Sequence, residues 1–321
     1  MVRLGIVGTG RIAKRFVTDA WQELDVEITA VYNPHDGSAQ KFCDEMKLEK
    51  CAYTDWNDFV NVIDAAYVAS PTGTHFEYAE KLLQTGKHVL CEKPMVLLKK
   101  QAEYLFDLAN SRGCVLVEGV KTAYSPGFNA LLRIIESGKI GSVRDVEACF
   151  TKLVNPEMRE WTHVEDCGSM TELGTYGCFA VTKIFGTKYT DVRTVSIRNE
   201  KGVDAYTKVF FEYGTEEFGL VKAGIGVKSE GELIVSGTNG YILVRSPWWL
   251  TKCIEIHYED TEKTEVYNFE FEGNGLQYEL DYFVKKINGK NVQDAVSRNQ
   301  SVAMADIMEQ FLKQENIYRK N

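Results

Sequence analysis

Residues 2–13 read VRLGIVGTGRIA, an apolar run that passes directly into a turn with two glycines. The run Val2 to Val7 is typical of a strand covered on both faces. In the turn, Gly8 allows a tight change of direction, Gly10 lets a pyrophosphate approach the backbone, and Ala13 lets the following helix pack closely on the sheet. The free amides at the helix start attract phosphate. We therefore expect a dinucleotide site, rather than a merely tight turn, at Gly8, Thr9, Gly10, Arg11 and Ile12.

Apolar runs and amphipathic stretches alternate through the first 118 residues. Further strands are predicted at Glu27 to Tyr32, Ala65 to Ala69, His88 to Cys91 and Cys114 to Glu118. Helices are predicted at Arg11 to Ala20, Ser38 to Met46, His75 to Thr85 and Leu98 to Arg112. Ser38 is expected to cap its helix. Strict alternation of this kind indicates a doubly wound parallel sheet with right-handed crossovers.

The pattern changes after Glu118. Helices are predicted at Phe128 to Ser137, Gly168 to Phe185, Leu276 to Ile287 and Ser301 to Glu315, and an irregular loop at Lys152 to Asp166. Between Asp191 and Phe271 a run of strands has no intervening helices, which indicates antiparallel pairing. We therefore predict two domains in an α/β protein. Residues 1–118 form the parallel, doubly wound domain, and residues 119–321 form an α+β domain with a large, mainly antiparallel sheet.

Composition excludes several classes of protein. Of the 321 residues, 44% are hydrophobic and 26% charged, and the formal net charge is -9. That acidic balance argues against bulk attraction to nucleic acid or to anionic lipid. No apolar run approaches the roughly 20 residues that span a bilayer, and we expect no leader segment. Eight scattered cysteines without a C-x-x-C pair favour reduced thiols in a cytoplasmic protein. The five histidines lack metal-ligand spacing, so no metal is expected.

Three further motifs accompany the glycine turn: ASPTGTH at 69–75, CEKP at 91–94 and DCGSMTELGTY at 166–176. In this order and at these spacings, the chain resembles the Gfo/Idh/MocA oxidoreductase family over nearly its whole length. The resemblance implies an NAD(P)-binding Rossmann domain, followed by a domain with a large open sheet that is often used for oligomer contacts.

The motif at 69–75 follows a predicted strand, at the edge where open α/β sheets bind ligands. The resemblance implies that Ser70, Pro71, Thr72 and His75 line the cofactor site. His75 also begins a predicted helix, so a capping or packing role is the alternative.

Lys93 is the sharpest catalytic candidate. A lysine at a strand end in a cofactor cleft can hold positive charge beside a reacting oxygen and stabilise its alkoxide character during hydride transfer. Most lysines are solvated surface charges, but the motif outweighs that interpretation here. The resemblance also implies a cis peptide bond before Pro94, and a Glu92 that orients the loop or contacts the nicotinamide ribose.

Glu172 and Tyr176 are four residues apart on a predicted helix and should share a face. A branch of the family similar to dimeric dihydrodiol dehydrogenase has aspartate and tyrosine at these positions. This chain matches that branch at Tyr176 and departs from it at Glu172. An ammonium such as Lys93 would favour the phenolate form of Tyr176, which can then pass the hydroxyl proton while Glu172 bonds the substrate or orients Tyr176. A tyrosine packed on an apolar helix face is the alternative.

The end of the second strand bears on the choice of cofactor. An acidic residue there favours NAD, because it bonds the ribose hydroxyls and repels a 2′-phosphate. Asn33 occupies this place without a charge, and His35 could assist a phosphate. The sequence thus permits NAD or NADP and favours NADP.

Five residues are candidate substrate contacts. Lys121 and Tyr124 follow the last Rossmann strand, which borders the substrate pocket in the family, and they indicate a polar or anionic part of the substrate. A hinge with a solvated Lys121 is the alternative. Arg159, Trp161 and His163 lie in the irregular loop.

The resemblance implies hydride transfer between NAD(P) and a carbonyl or hydroxyl carbon of a sugar, polyol or related diol. Two alternatives stay open: an NAD(P)-sensing regulatory protein without turnover, and an NAD-dependent glycosidase of the same fold. The aromatic pair Trp248 and Trp249 suits an interface or a core. We expect a small sugar-like partner, no nucleic acid or membrane partner, and a homodimer or homotetramer through the C-terminal sheet.

Overall fold

The computed structural model describes residues 1–20, 25–49, 51–214 and 216–319. They form two compact units. The first comprises Met1–Val96, Lys100–Lys121 and Glu272–Arg298, and the second comprises Leu97–Lys99, Thr122–Phe271 and Asn299–Asn321. A segment that follows the second sheet in sequence therefore returns to the first unit.

The helices of the described chain are α1 (Arg11–Ala20), α2 (Ser38–Met46), α3 (Trp56–Asn61), α4 (His75–Gln84), α5 (Lys99–Ser111), α6 (Lys121–Tyr124), α7 (Pro126–Glu136), α8 (Arg159–Thr162), α9 (Thr175–Phe185), α10 (Leu276–Ile287) and α11 (Arg298–Arg319). A π-helical segment, Met170–Gly174, runs directly into α9. Short 3₁₀ turns occur at Thr72–Thr74 and Trp248–Leu250.

A six-stranded parallel sheet forms the centre of the first unit. Its strands are β1 (Val2–Val7), β2 (Val26–Tyr32), β3 (Ala52–Tyr53), β4 (Ala65–Val68), β5 (His88–Glu92) and β6 (Leu116–Gly119). Their spatial order is β3-β2-β1-β4-β5-β6, with every neighbouring pair parallel. The doubly wound prediction is confirmed, because this order reverses direction at β1, as in dinucleotide-binding folds.

Helix α1 packs on the parallel sheet through one apolar stripe. Its residues Ala13, Phe16, Val17 and Ala20 are buried at helical spacing, so one stripe faces the sheet. The ring of Phe16 stacks on that of Tyr67 in β4, with centroids 3.7 Å apart. Burying one such ring stabilises the fold by about 1.5–3 kcal/mol.

One local prediction needs correction in this unit. Ser38 is the first residue of α2 and makes no side-chain cap, because Gly37 occupies the capping position with a φ of 74°. Between α2 and β4, where the sequence predicts no element, lie the short strand β3 and helix α3. Asp55 caps α3 by accepting a hydrogen bond from the Asp58 amide at 2.9 Å.

The second unit contains an eight-stranded sheet. Its strands are β7 (Val143–Thr151), β8 (Asp191–Arg198), β9 (Asp204–Tyr213), β10 (Glu217–Gly224), β11 (Leu233–Gly237), β12 (Gly240–Val244), β13 (Cys253–Tyr258) and β14 (Thr264–Asn268). The order is β14-β13-β12-β11-β7-β10-β9-β8. The mainly antiparallel prediction is confirmed, with one exception: β7 pairs with β10 in parallel.

The two faces of this sheet differ. Helix α9 packs on β7 and β10, whose inward side chains Val146 and Val221 are buried. On the opposite face six apolar side chains are exposed, and the strand register places them on one side: Val195, Ile197, Phe210, Phe218, Tyr241 and Val266.

Trp248 is fully buried and its indole nitrogen donates to the Cys149 carbonyl at 2.9 Å, so this tryptophan belongs to the core.

Candidate active site

The carboxyl edge of the first sheet gathers three of the predicted motifs. Strands β1, β4 and β5 are neighbours and run in the same direction, so their ends lie along one edge. Gly8 follows β1, Ser70 follows β4 closely, and Lys93 follows β5 directly. Ligands of open parallel sheets bind outside this edge.

The glycine turn has the geometry that a dinucleotide requires. Gly8 has a φ of +102°, and a Cβ there would lie 2.7 Å from the Ala69 carbonyl oxygen. Only glycine fits such a position without strain. A Cβ on Gly10 would have no atom within 4 Å, so open space faces the start of α1. The amides of the helix start thus border a space that can hold a pyrophosphate.

Asn33 lies at the end of β2, beside the glycine turn. Its side-chain amide donates to the Thr9 hydroxyl at 2.8 Å, and its side-chain oxygen accepts from the His35 amide at 3.0 Å. The structure therefore brings Asn33 and Thr9 together, as a site for the adenosine ribose requires.

His75 connects two of the loops on this edge. It is 2% exposed, and its ring nitrogens lie 2.9 Å from the carbonyl oxygens of Ser70 and Pro94. Thr74 adds a hydrogen bond from its hydroxyl to that of Ser70 at 2.8 Å. These contacts agree with the packing alternative, because they fix the loops at Ser70 and Lys93 relative to each other.

Glu92 is buried behind the loop that carries Lys93. Its carboxylate accepts hydrogen bonds from the Tyr67 hydroxyl at 2.5 Å and from the Lys93 amide at 3.2 Å. Burial raises the pKa of Glu92, and the positive charge of Lys93 opposes that rise. The Lys93–Pro94 peptide bond is cis, as the family resemblance implies. Glu92 thus orients the backbone from which Lys93 projects.

In the second unit, Tyr176 lies at the start of α9 in aromatic surroundings. Its ring centroid is 5.2 Å from that of Phe150, and Phe150 stacks on Trp249 with centroids 3.5 Å apart. Tyr176 is 8% exposed. Sequence reasoning assigned no site role to Phe150 and Trp249, and no short motif marks them.

Glu172 lies in the π-helical segment, one element before Tyr176. The predicted continuous α-helix over 168–185 is therefore wrong for its first part, where hydrogen bonds close wider turns. Burial lowers the pKa of Arg159, but the hydrogen bond to Asp166 and the neighbouring negative charges, that of Glu172 included, together outweigh it and raise the pKa. Burial, followed by the charge of Glu172, raises the pKa of the Cys167 thiol. Arg159 bonds both oxygens of Asp166 at 2.7 Å. Glu172, Arg159 and Asp166 therefore form one polar cluster.

Asp204 anchors the π-helical segment and was not found from the sequence. It is 6% exposed, and its carboxylate accepts from the Ser169 hydroxyl and the Met170 amide, each at 2.8 Å. A Cβ on Gly168 would lie 1.9 Å from its Oδ1 atom. Glycine in the motif DCGS thus lets the buried carboxylate reach the start of the segment.

The other candidate substrate contacts do not lie together in one unit. Lys121 donates from its amine to the Asn274 carbonyl oxygen at 2.9 Å, within the first unit. Tyr124 is buried. Trp161 donates to Glu200 at 3.3 Å, and His163 lies 2.9 Å from the Thr162 hydroxyl. The predicted irregular loop contains the short helix α8, which carries Arg159 and Trp161.

None of the helices in the described residues is long and apolar enough to cross a membrane. In the same part of the chain, no group of three or more histidine, cysteine, aspartate or glutamate side chains could hold a metal ion.

Two family models match consecutive parts of the chain. Residues 2–120 match the model described as "Oxidoreductase family, NAD-binding Rossmann fold", and residues 128–243 match the "GFO/IDH/MocA C-terminal domain". The chain belongs to the Gfo/Idh/MocA family. It is an oxidoreductase with a nicotinamide dinucleotide cofactor, and the open glycine turn fits that group.

Curated Gfo/Idh/MocA relatives match over almost the whole chain. The scyllo-inositol 2-dehydrogenase (NADP(+)) IolU of Bacillus subtilis is 28% identical, over 99% of this chain and 98% of the relative. The human trans-1,2-dihydrobenzene-1,2-diol dehydrogenase is 26% identical, over 97% of this chain and 96% of the relative. The second match confirms the branch that Tyr176 predicts.

Solved structures of the family confirm the fold. KijD10, a 3-ketoreductase from Actinomadura kijaniata in complex with NADP and TDP-benzene, superposes with a TM-score of 0.83 at 20% identity, over 96% of each chain. The UDP-N-acetylglucosamine 3-dehydrogenase GnnA from Acidithiobacillus ferrooxidans has a TM-score of 0.80 at 21% identity, over 97% of this chain and 99% of that one.

Proposed function

We propose that this chain is an NADP-preferring dehydrogenase or reductase that acts on a CH–OH or keto carbon of a cyclic polyol, sugar or related diol. The observation that carries the proposal is Lys93, which follows β5 on the same sheet edge as the open glycine turn. The relatives that act on scyllo-inositol and on a cyclic diol support the substrate class. Neutral Asn33, bonded to Thr9, supports NADP because it would not repel a 2′-phosphate.

The proposed roles divide the chemistry between two side chains. When bound, nicotinamide exchanges a hydride with the substrate carbon. The Lys93 ammonium holds the negative charge that develops on the substrate oxygen. Tyr176 takes the hydroxyl proton in the oxidation direction and returns it in the reduction direction. We propose that both groups act on the same oxygen.

The remaining roles concern orientation. We propose that Gly8, Thr9, Gly10, Arg11, Ile12, Asn33, Ser70, Pro71 and Thr72 contact the cofactor. His75 and Glu92 hold the loops on which this contact depends. Glu172 and Arg159 orient the substrate, while Phe150 and Trp249 provide an apolar wall near Tyr176 for the carbon face of a ring. We propose that residues 1–118 supply most of the cofactor contacts and residues 119–321 most of the substrate contacts.

Reduced-nicotinamide absorbance tests the function. The protein is assayed with NAD and NADP over a panel of inositols, sugars and cyclic diols, in both directions. We expect turnover that Lys93→Met lowers by roughly 10²–10³-fold, with cofactor affinity retained in a fluorescence titration. Tight cofactor binding without turnover on any panel member would favour the sensing alternative, and release of an aglycone would favour the glycosidase.

The apolar face of the eight-stranded sheet supports an oligomer. We propose a homodimer or homotetramer through the six exposed residues described above, because monomers rarely expose large apolar patches. Sedimentation equilibrium measures the mass: the double variant Val195→Lys and Ile197→Lys should dissociate the oligomer, whereas a monomeric wild-type chain would contradict the proposal. A cytoplasmic location is proposed from the eight free cysteines.

A further inference from the structure

A buried carboxyl from α10 lies against the strands that lead to Lys93 and Lys121. Helix α10 packs on α1 and β5 within the first unit. Glu279 on this helix is fully buried, and neither of its carboxyl oxygens has a hydrogen-bond partner among the described residues. A Cβ on Gly119 would lie 3.4 Å from both oxygens and 3.3 Å from the Cys91 carbonyl. The carboxyl therefore lies beside Gly119 at the end of β6, where this strand is paired with β5.

Charged groups surround Glu279 from every element packed against it. They are Asp19 from α1, Glu92 and Lys93 from the end of β5, and Lys121 after β6. Arg15 from α1 acts on Lys121. Asp19 is already engaged, because it accepts hydrogen bonds from the amides of Asn274 and Leu276, each at 3.0 Å. Besides Asp19, the charged groups that act on Glu279 are Glu92, Lys93 and Lys121.

Burial and neighbouring charges shift the pKa values of Glu279, Glu92 and Lys121 in different directions. Burial, followed by the negative charge of Glu92, raises the pKa of Glu279 well above its usual range, while Lys121 and Lys93 oppose the rise. Burial also raises the pKa of Glu92 and lowers that of Lys121. Two buried carboxyls that share cations compete for a single negative charge. The raised pKa of Glu279 therefore favours its protonated form to a higher pH than for an ordinary carboxyl.

We propose that Glu279 is a positioning residue of the Lys93 loop, which acts through Glu92 and Lys121 to set the charge and orientation of the Lys93 amine. The proposal rests on the function proposed above, since Lys93 is its target. Glu279 touches no reacting atom. When ionised, its carboxylate adds negative charge to that of Glu92 beside the Lys93 loop.

The test compares Glu279→Gln, which keeps the shape of the side chain, with Asp281→Asn on the same helix. Asp281 is half-exposed and pairs with Lys285 at 2.5 Å, away from the buried network. One readout is the pH profile of turnover. The other is the pH dependence with which an amine-selective acylating reagent modifies Lys93 in the cofactor-free protein, quantified by peptide mass spectrometry.

We expect Glu279→Gln to move the alkaline limb of the turnover profile, and the acylation midpoint, to lower pH by about one unit. Asp281→Asn should move neither, and cofactor affinity should stay within about twofold in both variants. Lys121→Met removes a cation and should move the acylation midpoint of Lys93 to higher pH, opposite to the shift expected for Glu279→Gln. This variant tests the proposal if Glu279→Gln does not fold.

Profiles of Glu279→Gln that superimpose on wild type in both readouts would overturn the proposal and leave Glu279 a packing residue. Absence of turnover in wild type would instead remove the proposed function. The acylation midpoints would still decide whether Glu279 acts on Lys93, so the two failures are distinguishable.

Discussion

Asp204, the first residue of β9, accepts a hydrogen bond at 2.8 Å from the backbone amide of Met170, the first residue of the π-helical segment. The same carboxylate accepts from the hydroxyls of Ser169 and Thr207. A buried carboxylate with several donors fixes the start of the segment that carries Glu172 and leads into Tyr176.

Replacing Asp204 by alanine should therefore reduce both stability and turnover. The Met170 amide and the Ser169 hydroxyl would be left buried without their acceptor, at a cost of about 3 kcal/mol. Urea denaturation measures this loss. Asp204→Asn retains one acceptor oxygen and should lose less, so equal stability of the two variants would contradict the anchoring role.

Tyr176→Phe removes the hydroxyl and keeps the ring that packs near Phe150. We expect turnover to fall by roughly 10²–10⁴-fold because proton transfer is lost, with the thermal unfolding midpoint unchanged. Combining it with Lys93→Met gives a double-variant cycle. If both side chains act on one oxygen, the combined loss of turnover should be far smaller than the product of the single losses. A combined loss equal to that product would show that the two residues act independently.

Alanine substitutions at the two glycines of the turn should have different effects. Gly10→Ala introduces a methyl group into open space, so the fold should persist while cofactor affinity falls by about tenfold or more, ~1.4 kcal/mol. Gly8→Ala combines a left-handed φ with a clash against the Ala69 carbonyl and should lower stability itself. Circular dichroism and a cofactor titration separate these effects. Unchanged affinity in Gly10→Ala would place the pyrophosphate elsewhere.

Asn33→Asp should shift the preference from NADP towards NAD. The carboxylate can still accept from the His35 amide, but it would repel a 2′-phosphate. We expect the dissociation constant of NADP to rise by about tenfold relative to that of NAD. Parallel titrations with both cofactors measure the ratio, and a ratio that does not change would remove Asn33 from the ribose site.

Acid stability depends on a surface pair that joins β1 to the residue before β4. Hydrogen bonds from the Arg3 side chain lower the pKa of Asp64 to about 2. A carboxyl whose folded pKa is depressed stabilises the fold above its unfolded pKa, and this contribution is lost as pH falls through the folded pKa. Asp64→Asn should therefore unfold at a lower temperature than wild type at pH 7, and the difference should vanish between about pH 4 and pH 2.

Local sequence determined the architecture of the first unit. The two-glycine turn, the apolar runs and the amphipathic stretches each act over a few residues, so they predicted the parallel sheet and placed Gly8, Ser70 and Lys93 at strand ends. The motif at 166–176 likewise marked Tyr176. The short β3 and the π-helical segment were missed, because two strand residues carry no periodicity and a π turn shares its residue preferences with an α-helix.

Tertiary structure decided what depends on residues distant in sequence. Asp204 bonds Met170 across 34 positions of the sequence. Phe150 of β7 stacks on Trp249, which lies in the 3₁₀ turn at Trp248–Leu250. Helix α10 returns to the first unit and brings Glu279 beside Gly119. No local pattern encodes these contacts, because burial and charge at each position are set by whichever elements pack against it.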